Sequence, residues 1–194
     1  MSRGLYALKP WYADALAGVR GRLLAAGVSP NAVSAVGVGL GALAGVVLAT
    51  VSSPPLAAVL VGVLLAARLA AANLDGALAR ESGRSTRWGA VCNELGDRAA
   101  ELAVLAGCFA LAPGWLVVTA ALAASAPSWV ALAGVAAGAT RINGGPVGKT
   151  ERCLLLVVLA AVPGHAGAVL VVIAAGSALT AALRLRALHR QLAP

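Results

Sequence analysis

Four of the seven acidic side chains, Asp75, Glu94, Asp97 and Glu101, fall with Arg68 inside stretches that are otherwise rich in Ala, Val and Leu. Gly89, Asn93, Asp97 and Glu101 recur every four residues, which lays them along one slowly drifting stripe of a helix. In the preceding segment Arg68, Ala72, Asp75 and Ala79 share a side, with Gly76 beside them. Two antiparallel helices can therefore point Asp75 at Asn93 and Asp97. Carboxylates and an amide oxygen are hard oxygen ligands suited to Mg²⁺ or Mn²⁺. The same groups also suit a network of interhelical hydrogen bonds, with an ion pair from Asp75 to Arg68 or Arg98. Residue chemistry alone leaves both readings open.

The elements that hold these groups are legible from composition. The chain is 60% hydrophobic and 11% charged, with a mean hydropathy of +0.89, too little polar surface for a soluble domain of this length. The pattern predicts an all-α polytopic membrane protein with six transmembrane helices, at about 31–51, 55–81, 86–112, 115–140, 150–163 and 166–188. The fifth is short, and its start is expected nearer Val147. A helix over about 8–26 carries Trp11, Leu16, Val19, Leu23 and Leu24 on one side, as an interfacial amphipathic helix does. The domain reading is 1–30 as a cytoplasmic interfacial helix and linker, and 31–190 as the transmembrane domain.

Charge orients this scheme. The loops at 52–55, 112–114 and 163–167 hold no Lys, Arg, Asp or Glu. Arg80, Arg84 and Arg87 sit around one alternate loop, Arg141, Lys149 and Arg152 around the next, and Arg184, Arg186 and Arg190 near the end. Both termini and the loops near 83 and 146 are thus expected in the cytoplasm, with the chain multi-pass in the cell (inner or plasma) membrane. The net charge of +8 is then the basic excess of cytoplasmic loops rather than a nucleic-acid footprint. No apolar run typical of a cleavable signal opens the chain, and Cys92, Cys108 and Cys153 follow no metal or disulfide spacing.

Asp75-Gly76-Ala77-Leu78-Ala79-Arg80, eight residues, then Gly89, Asn93 and Asp97 resemble the signature of the CDP-alcohol phosphotransferase (CDP-alcohol phosphatidyltransferase) family, D-x-x-D-G-x-x-A-R, eight residues, G-x-x-x-D-x-x-x-D. Ser29-Pro30-Asn31 resembles the family's T-P-N before the first span, and Gly144 to Lys149 a family loop before the fifth. Two positions depart from the pattern: Ala72 stands at the first Asp and Asn93 at the third, which makes this a divergent member.

The resemblance implies a membrane transferase that moves a phosphate-linked alcohol from a CDP-alcohol donor to an acceptor hydroxyl on a lipid or polar alcohol, with release of CMP, in phospholipid or related lipid synthesis. It implies Mg²⁺ or Mn²⁺ held by Asp75, Asn93, Asp97 and, as a substitute acid, Glu101. Asp97 takes the general-base role. Asn31, Gly76, Ala79, Arg80 and Gly89 fall at the donor, where small residues admit the nucleotide and Arg80 meets a phosphate. Arg141, Lys149 and Arg152 are candidates for a phosphate on the acceptor, and a homodimer is expected. The rival reading is a catalytically silent protein of the same fold that acts as a binding or assembly partner.

Overall fold

The computed structural model describes residues 9–193. Residues 1–8, part of the predicted N-terminal segment, lie outside the described residues. The chain divides into two compact units, Leu8–Ala110 and Leu111 onward. All regular structure among the described residues is helical.

The first unit contains α1 (Lys9–Ala15), α2 (Ala17–Ala25), α3 (Pro30–Thr50), α4 (Pro54–Glu81) and α5 (Arg87–Gly107). Local chemistry sets the boundaries. The Ser29 hydroxyl caps α3 by accepting from the Ala32 amide at 3.1 Å, and Pro30 follows at the first helical position. Past the end of α4, Gly83 turns the chain at φ 67°. Thr86 then caps α5 by accepting from the Gly89 amide at 2.9 Å. The expected helix to residue 112 stops instead at Gly107 and tightens into a 3₁₀ turn over Cys108–Ala110.

The single expected N-terminal helix is two, broken at Leu16. Leu16, Leu23 and Leu24, with Val28, pack against Val33 of α3 and Ala71, Leu74 and Leu78 of α4. Trp11 and Val19, assigned by the sequence to that same apolar side, are exposed. Three polar contacts tie the pair down: the Tyr12 hydroxyl donates to the Ala66 carbonyl at 3.0 Å, Arg20 pairs with Glu81 at 3.1 Å, and Arg84 donates to the Gly27 carbonyl at 3.2 Å. Burial pushes the Tyr12 phenol above its ordinary value.

Helix α3 packs along both α4 and α5. Its glycines make this possible. A Cβ at Gly41 would lie 2.8 Å from the Ala100 carbonyl oxygen, one at Gly45 would strike the Ala103 carbonyl, and one at Gly107 would strike the carbonyl of Gly45. Small residues of this kind let membrane helices approach backbone to backbone.

The second unit holds α6 (Gly114–Ala136), α7 (Lys149–Ala161), a 3₁₀ turn over Pro163–His165 and α8 (Ala166–Leu192). Helix α6 ends four residues earlier than expected, and Gly138 turns the chain at φ 85°. Between α6 and α7 the backbone is irregular yet contains the buried Ile142 and Gly145. Its polar groups are met by side chains: Thr180 Oγ1 accepts from the Val147 amide at 3.0 Å, Arg184 Nε donates to the Gly144 carbonyl at 2.9 Å, and Arg152 donates to the Val147 carbonyl at 3.3 Å. Gly145, at φ 136°, lies so close to Thr180 that a Cβ would strike its methyl group. Thr180→Val should therefore strand the Val147 amide and cost about 1–3 kcal/mol. Thermal unfolding in detergent checks this, with Thr180→Ser expected near wild type.

Among the described residues four segments are long and apolar enough to cross a membrane: Pro30–Thr50, Pro54–Glu81, Gly114–Ala136 and Pro163–Leu192. Helix α5 has the length, but its apolarity is interrupted by Glu94, Asp97, Arg98 and Glu101. Helix α7 has 13 residues, about 20 Å at 1.5 Å per residue, short of the ~30 Å hydrocarbon core. The chain is a multi-pass membrane protein.

Candidate active site

The middle of the predicted polar stripe, Asn93 and Asp97, faces a small open cleft in the first unit. Asp75, Arg68 and Ala72 reach it from α4, Asn93, Gly96, Asp97 and Ala100 from α5, and Ser34, Gly37 and Val38 from α3.

Asp75 is buried, 4% exposed, and its two carboxylate oxygens are oriented by different donors. Oδ2 accepts from the Ser34 hydroxyl at 2.7 Å, and Oδ1 from the Gly76 amide at 2.6 Å. Each oxygen keeps a further lone pair for a cation. Two turns earlier on the same helix Arg68, 3% exposed, donates from Nη2 to the backbone carbonyl of Asp97 at 3.0 Å. The carboxylate of Asp97 is thus carried on a backbone that α4 grips directly.

Asp75, Asn93 and Asp97 are brought together as expected. Glu101 is not brought to the same cavity: it is buried and paired with Arg98 at 2.5 Å. Helix geometry explains the difference. At ~100° per residue, Ala100 points about 20° from Asn93 and Glu101 about 80° from it, so the cavity wall continues through the alanine. Glu94 does not line the cavity either, and Asn73 turns its amide to the Leu69 carbonyl at 3.1 Å.

Among the donor-side candidates, Asn31 lies beside Gly89, where a Cβ would be 3.8 Å from Asn31 Oδ1. Arg80 is exposed and folds over Gly76, its guanidinium 3.3 Å from where a Cβ would stand. Ala79 is half-buried on the same helix. In the second unit Arg141 is exposed, Lys149 opens α7, and Arg152 is buried against the irregular loop.

Sequence reasoning missed the contribution of α3. The glycine series Gly37, Gly41, Gly45 marked a face of close approach, and Ser34 lies one turn before it on that face. This was the available signal for Ser34.

Among the described residues no three His, Cys, Asp or Glu side chains converge. Two carboxylates, an amide and a hydroxyl do, and Mg²⁺ is commonly held by one or two carboxylates with water and substrate oxygens completing its shell. The residues fit one such ion.

Residues 28–183 match the family model for CDP-alcohol phosphatidyltransferase. The inner membrane protein YnbA of Escherichia coli K12 is 29% identical over 154 residues, covering 78% of this chain and 76% of that protein. The fold resembles phosphatidylinositol phosphate synthase of Mycobacterium tuberculosis in two crystal structures. One, in complex with manganese and citrate, has a TM-score of 0.72 at 22% identity, covering 91% of this chain and 90% of that one. The other, with CDP-DAG bound, has a TM-score of 0.71 at 24% identity, covering 91% and 94%. With four-fifths of its length spanned by the model, and the motif residues gathered at one cavity, this chain belongs to the CDP-alcohol phosphatidyltransferase family.

Proposed function

We propose that the protein transfers a phosphate-linked alcohol from a CDP-alcohol to an acceptor hydroxyl, releasing CMP, in the synthesis of a membrane lipid. The observation that carries this reading is the convergence of Asp75, Asn93 and Asp97 on one cavity in a chain of this family. Asp97 accepts the proton of the acceptor hydroxyl. The acceptor oxygen then bonds to the phosphorus that bears the alcohol, and the bond from that phosphorus to the CMP oxygen breaks. Asp75, Asp97 and the Asn93 oxygen would hold Mg²⁺ or Mn²⁺, while Glu101, the expected substitute acid, is engaged by Arg98 one turn further along α5. A divalent ion supplies charge neutralisation for the leaving CMP. Asn31, Gly76, Ala79, Arg80 and Gly89 receive the nucleotide, Arg80 through a phosphate. Arg141, Lys149 and Arg152 serve a phosphate on the acceptor.

The test is CMP release by purified protein with Mg²⁺ or Mn²⁺, a panel of CDP-alcohols and candidate acceptors. Release with one donor–acceptor pair supports the reading. Ala72 and Asn93 motivate a second reading, a silent member acting as a binding partner. It wins if wild type releases no CMP while Ala72→Asp/Asn93→Asp does.

In this reading α5 and α7 complete six spans, residues 1–30 form the interfacial segment, and both termini face the cytoplasm of a cell-membrane protein. A cysteine placed at Gly83 should react with an impermeant thiol reagent only after the inner face is opened, because the basic residues around that loop belong inside. Labelling from the outer face would reverse the topology. The chain is further proposed to form a homodimer, so its mass in nanodiscs should be that of two copies.

A further inference from the structure

We propose that Arg68 is a fixed cation of this active site, so that the cavity takes a single divalent ion and the guanidinium meets the donor's phosphates in place of a second one. The inference rests on the transfer reading above and specifies how its charge is balanced.

Three observations support it. Arg68 is 3% exposed and lines the same cavity as Asp75 and Asp97, and its hydrogen bond to the Asp97 carbonyl holds the guanidinium against α5. It stands one helical turn before Ala72 on the same wall, where the alanine methyl leaves the space that a carboxylate would fill. Finally, the charges count differently from the motif. Four carboxylates balance two divalent ions, whereas Asp75 and Asp97 beside Arg68 leave one net negative charge on the cavity wall, the nearby Glu101 being offset by its partner Arg98. A second ion brought to this wall would meet a buried positive charge. The donor's pyrophosphate still needs cations on both phosphates, and a guanidinium binds phosphate oxygens in a planar, two-pronged geometry that no hydrated ion reproduces.

This arrangement makes Arg68 repel the metal and attract the nucleotide, so its removal should move the two affinities in opposite directions. The probes are Mn²⁺, counted by the paramagnetic signal of the free ion, and CDP, titrated calorimetrically at saturating Mn²⁺. Wild type should bind one Mn²⁺ per chain. Arg68→Met should bind Mn²⁺ about tenfold more tightly and CDP about tenfold more weakly, the scale of one charge removed from a partly buried site. Arg68→Lys should stay near wild type for Mn²⁺. The triple variant Arg68→Met/Ala72→Asp/Asn93→Asp should bind two ions.

Two Mn²⁺ ions in wild type, or an Arg68→Met protein whose Mn²⁺ and CDP affinities are unchanged or fall together, would overturn the inference while leaving the transfer reading standing. If neither wild type nor the triple variant binds Mn²⁺ or CDP, the transfer reading fails and takes this inference with it. Should Arg68→Met lose its thermal transition, Arg68→Gln, neutral but still a hydrogen-bond donor to the Asp97 carbonyl, gives the same readout.

Discussion

Asp97→Asn should reduce CMP release by at least about a thousandfold while leaving the protein folded. Asparagine cannot take the acceptor's proton, a loss that typically accounts for factors of 10²–10⁴ by itself. It also removes one of the two cavity carboxylates proposed to hold the cation, so Mn²⁺ binding should weaken in parallel. The contact from Arg68 to the backbone carbonyl of Asp97 is left in place by the substitution, and thermal unfolding separates any loss of stability from the loss of turnover. Asp75→Asn is a less clean experiment. Its two oxygens accept from Ser34 and Gly76, and an asparagine would turn an NH₂ group toward one of those donors, mixing loss of charge with loss of structure. Turnover, Mn²⁺ affinity and thermal unfolding of Asp97→Asn, measured on one preparation, decide the matter. Activity near wild type would remove Asp97 from the chemistry.

The second large effect lies away from the chemistry. Gly45→Val should destabilise the protein by about 3 kcal/mol or more, and Gly107→Val by a similar amount. At both positions the first side-chain carbon falls on a backbone carbonyl of the facing helix, which cannot swing aside as a flexible side chain would. Gly39, on the same helix, faces open space, so Gly39→Val should stay within about 0.5 kcal/mol and serve as the matched control. Unfolding of the three variants in one detergent gives the comparison. Equal stability of all three would refute the close α3–α5 contact.

Much of this was legible in the sequence because membrane solvation is strict. The helix positions followed from apolar length and from turns at Pro54, Gly83 and Pro113, and the Asp75–Asn93–Asp97 grouping followed from a four-residue spacing. What failed to carry over failed for geometric reasons. Glu101 obeys the four-residue spacing, but each such step drifts ~40°, and after two steps it has left the cavity wall. The kink at Leu16 depends on how α1 and α2 settle on α4, a tertiary effect without a local marker. Arg152, a candidate for a phosphate on the acceptor, has a second task the sequence did not show: its guanidinium donates to the Val147 carbonyl, because buried irregular backbone requires side-chain partners. Ser34 had only its place one turn before the glycine face of α3 to mark it, and its hydrogen bond to Asp75 follows from the route of that helix.

The glycine contact between α3 and α5 also bears on how this protein can diverge. Positions 72 and 93 show that the fold accepts other residues in place of the motif's acids, which leave a smaller or neutral side chain in the same space. Positions 45 and 107 have no such latitude, because every other amino acid begins with the carbon that the facing backbone excludes. Descendants of this chain can therefore exchange the chemistry of the cavity more readily than the spacing of the helices that frame it. New substrate preferences should arise around an inherited pair of glycines, and relatives with entirely different acceptors should still carry glycine at both.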